Sequence, residues 1–149
     1  ISKKLNLFCF SSPFDETAVD FLEKLNTPAY KIASFEITHI PLIKKIGKTR
    51  KPVILSTGMA TKEEIHEAIE TLKISGCKEY SILKCTSNYP ANPKDANLLT
   101  IPDMIREFNC NVGLSDHTPG IGTSIAAIGL GATLIEKHIT PCKTKYAKL

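Results

Sequence analysis

Pro52-Val-Ile-Leu-Ser56, then Thr61-Lys-Glu-Glu64 and, after Gly76, Tyr80-Ser-Ile-Leu-Lys-Cys85 read as strand, helix, strand. The outer segments are short apolar runs rich in β-formers. Between them Thr61 and Glu64 match a capping box, Ile65, Ala68, Ile69 and Leu72 recur at helical spacing, and Gly76 closes the segment. The same alternation extends in both directions. Leu7-Phe-Cys-Phe10, Ala29-Tyr-Lys-Ile-Ala33, Val112-Gly-Leu-Ser115 and Ala132-Thr-Leu-Ile-Glu136 are expected strands; Asp15 to Leu25, Ile40 to Ile46, Ala96 to Phe108 and Ile121 to Leu130 are expected helices. Strands spaced by about 20 to 30 residues with helices between them predict right-handed crossovers and a parallel sheet.

An open doubly wound sheet and part of a (β/α)8 barrel both fit this alternation. No GxGxxG opens a helix after a strand and no GxxxxGK[ST] occurs, so neither dinucleotide nor P-loop chemistry is indicated. Polar residues instead follow nearly every strand: Ser11 and Ser12, Ser34 and Glu36, Ser56 and Thr57, Thr86 and Ser87, Ser115 and His117, His138 and Thr140. A barrel gathers such ends around one mouth, where its active site forms. The expectation is therefore an α/β fold, a TIM barrel represented by about six βα units, whereas a closed barrel has eight and roughly 250 residues.

The 149 residues, 42% apolar and 23% charged, suit one ordinary globular domain. The net charge of +4 is spread along the chain without a long basic run, which argues against nucleic acid and suits an anionic small substrate. No apolar stretch approaches the roughly 18 residues of a membrane span, and no signal pattern opens the chain, so a cytoplasmic location away from membranes is expected. Five cysteines without a CxxC pair read as reduced thiols rather than metal ligands.

Gly113-Leu-Ser-Asp-His117 and Leu134-Ile-Glu-Lys-His138 each run a strand into a histidine. Alternation puts Gly113, Ser115 and His117 on one face, and Leu134, Glu136 and His138 on one face of the next strand. Two imidazoles with oxygen ligands suit a divalent metal such as Mn²⁺ better than structural Zn²⁺, with Mg²⁺ or Co²⁺ as alternatives. The competing reading makes each a hydrogen-bonded, part-buried histidine. Asp116 and Glu136 could orient the rings, or pair with Lys137 and other cations. Lys31 lies inside an apolar strand and calls for an anion, or for a route to the rim or to Glu36; Ser12, Ser34, Ser56, Ser87 and Ser115 could bind the same anion. Lys84 poses the same choice. Glu36 could hold sugar hydroxyls or move a proton, and Tyr89, in the turn Thr86 to Pro90, could contact a substrate or pack its own loop. His39 and His66 fall on helical segments and receive no role.

Phe10-Ser-Ser-Pro-Phe14, Tyr30-Lys-Ile-Ala-Ser-Phe-Glu36, Ser56-Thr-Gly-Met-Ala60, Leu83-Lys-Cys-Thr-Ser-Asn-Tyr-Pro90, Gly113-Leu-Ser-Asp-His-Thr118 and Ile135-Glu-Lys-His138 together resemble the sialic acid synthase family, in order, over about residues 8 to 140. The resemblance implies a (β/α)8 barrel that uses a divalent metal to condense phosphoenolpyruvate with an N-acetylated amino sugar, giving a nonulosonic acid and phosphate. Carried over by position, it implies His117 and His138 as metal ligands, Lys31, Ser12, Ser34, Ser56, Ser87 and Ser115 as the phosphoenolpyruvate pocket, and Glu36 and Tyr89 as contacts to the acceptor sugar. The words Ser-Phe-Glu, Phe-Ser-Ser-Pro-Phe and Leu-Lys-Cys-Thr-Ser are more similar to the pseudaminic than to the N-acetylneuraminate branch. Relatives of that family bring two earlier barrel strands and a C-terminal antifreeze-like domain that reaches across a homodimer to the partner's sugar site. On that comparison residues 1–140 are expected to be a partial catalytic barrel, inactive alone, and 141–149 a non-matching tail. Another phosphoenolpyruvate-using barrel aldolase, or a non-catalytic barrel piece that self-associates through open edges, are the rival readings.

Overall fold

The alternation of apolar strands and amphipathic helices is realised in the computed structural model, which describes residues 2–139. The elements are α1 (Glu16–Lys24), β1 (Tyr30–Ile32), α2 (Ile40–Lys48), β2 (Val53–Ser56), α3 (Lys62–Ile74), β3 (Tyr80–Cys85), α4 (Thr100–Phe108), β4 (Asn111–Asp116), α5 (Gly122–Gly129) and β5 (Ile135–Lys137). They fall into two compact units, the first comprising residues up to Ser56 with Ala60–Tyr80, the second Thr57–Met59 with the chain from Ser81 on. Thr140 and the tail 141–149 lie outside the described residues.

In the first unit, β1 and β2 pair in parallel, Lys31 beside Ile54 and Ile32 beside Leu55. Ile32 and Leu55 are wholly buried, as are Leu42, Ile43 and Ile46 of α2 and Leu72 of α3. The expected capping box is present: Thr61 Oγ1 accepts from the Glu64 amide, and Glu64 Oε2 accepts from the Thr61 amide at 2.8 Å. Its Ile65, Ala68, Ile69 and Leu72 stripe is buried. The contact of α2 with α3 depends on Gly47, where a Cβ would come within 2.6 Å of Ser75 Cβ. Tyr30, buried in β1, donates to Glu23 Oε1 of α1 at 2.6 Å, and Lys51 donates to the same oxygen at 2.7 Å.

One expected strand does not form. Leu7 to Phe10 lacks a ladder, and a single bridge from Ser11 to Tyr30 is its pairing. Its side chains have no layer to pack into, Phe8 being 87% exposed, and an apolar run becomes a strand only where a partner supplies hydrogen bonds and burial. Among the described residues, five strands therefore stand where six were expected.

In the second unit β3, β4 and β5 run parallel, in chain order. Gly113 sets how closely β5 can approach, because a Cβ there would sit 2.3 Å from the Leu134 carbonyl oxygen and 2.6 Å from Leu83 Cδ2. The helix expected from Ala96 starts later: Asn97 has φ +42°, which interrupts helical dihedrals, and α4 begins at Thr100. Asn109, at φ +46°, ends it, asparagine being one of the few side chains that accepts this backbone region readily. β5 begins at Ile135 rather than Ala132, after backbone bonds from Thr133 to Val112 and from Leu114 to Leu134 have drawn it alongside β4. Among the described residues no helix is long and apolar enough to cross a membrane.

Candidate active site

In the first unit, the register that puts Lys31 beside Ile54 also sends it to the face that Ser56 shares two residues on. Lys31 is 8% exposed, and its Nζ donates to Ser56 Oγ at 2.6 Å and to the Ile32 carbonyl at 3.1 Å. An ammonium withdrawn from water needs hydrogen-bond acceptors around it, and these two oxygens are among those that hold Lys31 in place. Ser34, buried, opens a short 3₁₀ turn, Ser34–Glu36, just past β1. In that turn Glu36 carries a carboxylate oxygen, Oε2, that is buried without a hydrogen-bond partner. Ser12 is half-buried, one residue past the Ser11 bridge.

In the second unit, β4 and β5 align Ser115 with Glu136 and Asp116 with Lys137. Successive residues alternate faces, so the two pairs separate. Ser115 Oγ donates to Glu136 Oε1 at 2.6 Å. On the other face Asp116 accepts from Lys137 at 2.9 Å, from Ser124 at 2.6 Å, and from the Thr118 amide and hydroxyl. Burial alone would raise the Asp116 carboxyl, but those hydrogen bonds, Lys137 first, hold it down at about 2. Asp116 thus knots β4, β5 and the start of α5 together. Of the two roles open to Asp116, pairing with Lys137 is the one realised.

Past the strand ends, His117 and His138 come together as alternation predicts, their ring centroids 5.3 Å apart. That separation lets one nitrogen of each ring reach a single cation at about 2.1 Å. His117 Nδ1 lies 2.9 Å from the Thr86 carbonyl oxygen. A carbonyl can only accept, so Nδ1 carries the proton and Nε2 keeps its lone pair for a ligand. The same carbonyl accepts from the Asn88 amide at 2.9 Å, and the Ala91 amide donates to the His117 carbonyl at 2.9 Å. Tyr89 covers the pair, 4.1 Å from the His117 ring and edge-on to His138 at 5.7 Å; burial, first, shifts its hydroxyl pKa upward. Beside them is a cavity of about 250 Å³ lined by Tyr89, His117, Ile121, Lys137 and His138 among others. Among the described residues no set of three or more His, Cys, Asp or Glu side chains gathers for a metal. The two imidazoles are the nitrogen donors that could hold a metal at this rim.

The loop after β3 adds further polar groups to the second unit. Ser87 Oγ lies 3.7 Å from Cys85 Sγ. Cys85 is in register with Ser115, whereas Lys84 pairs with Leu114 and so takes the opposite face. Lys84, 8% exposed, donates to Thr86 Oγ1 at 2.5 Å, and its burial lowers the ammonium pKa. Sequence reasoning missed the Thr86 carbonyl because a main-chain acceptor leaves no mark on residue identity. His39 is the N-cap of α2, its amide donating to the Glu36 carbonyl at 2.9 Å, and His66 lies within α3. The described cysteines, Cys9, Cys77, Cys85 and Cys110, are not in disulfides.

A chain of parallel βα units with hydroxyls, a buried lysine and paired histidines at or just past its strands has the makings of an α/β barrel, and its particular family is shown by direct comparison. The NeuB family profile matches residues 1–147, and the chain belongs to that family. It is 47% identical over 138 residues to the pseudaminic acid synthase of Helicobacter pylori, covering 93% of this chain and 41% of that protein. It is also 47% identical over 141 residues to the N,N'-diacetyllegionaminic acid synthase of Campylobacter jejuni, covering 93% of this chain and 42% of that protein. The crystal structure of the spore coat polysaccharide biosynthesis protein spsE from Bacillus subtilis superposes with a TM-score of 0.95 at 36% identity, over 98% of this chain and 41% of that one. The chain spans about two-fifths of the length of the curated relatives it matches.

Proposed function

We propose that this chain forms part of the catalytic barrel of a synthase that condenses phosphoenolpyruvate with an N-acetylated amino sugar, yielding a nonulosonic acid and phosphate. The observation that carries the reading is the histidine pair, with His117 locked by the Thr86 carbonyl so that Nε2 is open to a ligand. Relatives named as synthases of pseudaminic and diacetyllegionaminic acids support the same class.

In this reading Lys31 holds the anionic groups of phosphoenolpyruvate, its ammonium already turned to the hydroxyl of Ser56. Ser12 and Ser34 donate further hydrogen bonds to those oxygens. Glu36 turns its unpartnered oxygen to the acceptor sugar, binding a hydroxyl or taking a proton. Tyr89 presents a ring and a hydroxyl to the same substrate. His117 and His138 hold a divalent cation, Mn²⁺ by donor type with Mg²⁺ or Co²⁺ as substitutes, which when bound would polarise the sugar's carbonyl. The complete enzyme acts as a homodimer in the cytoplasm.

Within the class, we favour a pseudaminic acid synthase, which takes a 2,4-diacetamido-2,4,6-trideoxy altrose. The support is the wording around Glu36 and Lys84, since overall identity is the same to pseudaminic and legionaminic relatives. Phosphate release by the full-length protein, with phosphoenolpyruvate, Mn²⁺ and either the diacetamido sugar or N-acetylmannosamine, tests both levels. Turnover of the diacetamido sugar is expected. Efficient use of N-acetylmannosamine alone overturns the finer choice, and no release with any acetamido sugar overturns the class.

A further inference from the structure

Lys84 is a buried ammonium that the proposed chemistry does not use. It lies on the face of β3 opposite Cys85 and, among the described residues, no carboxylate pairs with it. An ammonium withdrawn from water is costly, so its remaining contact carries structural information. That contact is Thr86 Oγ1 at 2.5 Å. With its lone pair facing the ammonium, the Thr86 hydroxyl turns its proton to the Asp95 carbonyl, at 3.4 Å. The side chain of Thr86 is thereby tied at both ends, to β3 and to the 3₁₀ turn Pro93–Asp95. Its main-chain carbonyl is the acceptor that fixes the proton of His117 on Nδ1.

We propose that Lys84 is a positioning residue: through Thr86 it holds the carbonyl that sets the orientation and tautomer of the His117 ring. The inference rests on the reading of His117 as a metal ligand for its functional consequence, but not for the geometry. Lys84 never touches substrate. Its effect passes along one strand-to-loop link, and an outer partner of this kind usually changes metal affinity by about 10- to 100-fold.

The test uses the full-length protein with Lys84→Met, Thr86→Val and Thr86→Ser. Two quantities are read: Mn²⁺ affinity by electron paramagnetic resonance, and the His117 tautomer in metal-free, ¹⁵N-histidine-labelled protein by NMR. Lys84→Met and Thr86→Val should each weaken Mn²⁺ binding by about 10- to 100-fold and move His117 from pure Nδ1–H toward a mixture of tautomers. Thr86→Ser, which keeps the hydroxyl, should restore both. The Lys84→Met, Thr86→Val double variant should lose no more than either single one, because both cut the same link. A role in stability alone would lower the unfolding midpoint and leave the tautomer untouched. Folded Lys84→Met with wild-type Mn²⁺ affinity and an unchanged tautomer overturns the proposal. If Lys84→Met does not fold, Thr86→Val decides, and its equality with Thr86→Ser in both measurements is the overturning result. Should the wild-type protein bind no Mn²⁺, the metal reading fails while the metal-free tautomer comparison still decides the positioning role.

Discussion

The two units carry polar groups of opposite construction. In the first, Lys31 and Ser56 lie within strands, both buried, so the ladder between β1 and β2 sets their meeting. In the second, His117 and His138 lie past the strands, His138 is exposed, and a loop carbonyl with the ring of Tyr89 does the holding. A cluster inside a strand pair is as rigid as the sheet. A cluster at the rim is as well ordered as the hydrogen bonds of its loop, and can lose its function while the core stays intact.

His138→Ala offers the sharpest contrast. Mn²⁺ binding should be lost outright, while stability changes by no more than about 0.5 kcal/mol, as for exposed positions generally. Calorimetric titration with Mn²⁺ and urea denaturation of the same variant give both numbers. Retained tight binding would break the two-imidazole site. Next, Lys31→Met in the full-length protein should lower phosphate release by about 10²- to 10³-fold, the scale for losing a preorganised electrostatic donor. Its unfolding midpoint should hold or rise, because a buried charge has been replaced by an apolar chain of similar length. A stability loss with little kinetic effect would make Lys31 a structural residue and erase the distinction between the units.

Gly113→Ala links sheet geometry to the rim. The new methyl meets a backbone oxygen and a packed leucine, so a cost of about 3 kcal/mol is expected in urea denaturation, at the upper end for overpacking. β5 must also shift, carrying His138 away from His117 and weakening Mn²⁺ binding in parallel. Stability unchanged in Gly113→Ala would mean that β5 does not depend on this close approach. The smallest effect concerns Asp116. Its carboxyl is held at about 2 in the folded chain against an ordinary 3.8. The resulting stabilisation is present above about pH 4 and disappears as the pH falls from about 4 to 2; it amounts to about 2 kcal/mol. Urea midpoints of wild-type protein and Asp116→Asn should therefore converge over that interval; parallel curves would contradict the hydrogen-bonded knot.

Much of this was legible in residue order. The capped helix from Thr61 and its buried stripe and the strand cores at Tyr30–Ile32, Val53–Ser56 and Tyr80–Cys85 follow from short-range patterns, and strand alternation put His117 and His138 on faces that could meet once β4 and β5 paired in this register. Leu7 to Phe10 misled because composition signals a strand whether or not a neighbour exists to pair with it. The start of α4 was misplaced by four residues for a different reason: Asn97 takes a left-handed conformation that its identity permits but does not require.

The sequence by itself determined the alternation of strands and helices, the family motifs and the chemical types at the strand ends, because periodicity and residue identity are local properties. Tertiary structure decided the partners. It turned Lys31 to Ser56, sent Asp116 to Lys137 instead of to a histidine, and placed the Thr86 carbonyl against His117. Each of those choices depends on register between strands or on the path of a loop. Hydrogen bonds between residues 21 to 31 positions apart are selected by the packing of the whole unit, and main-chain acceptors among them carry no side-chain signature at all.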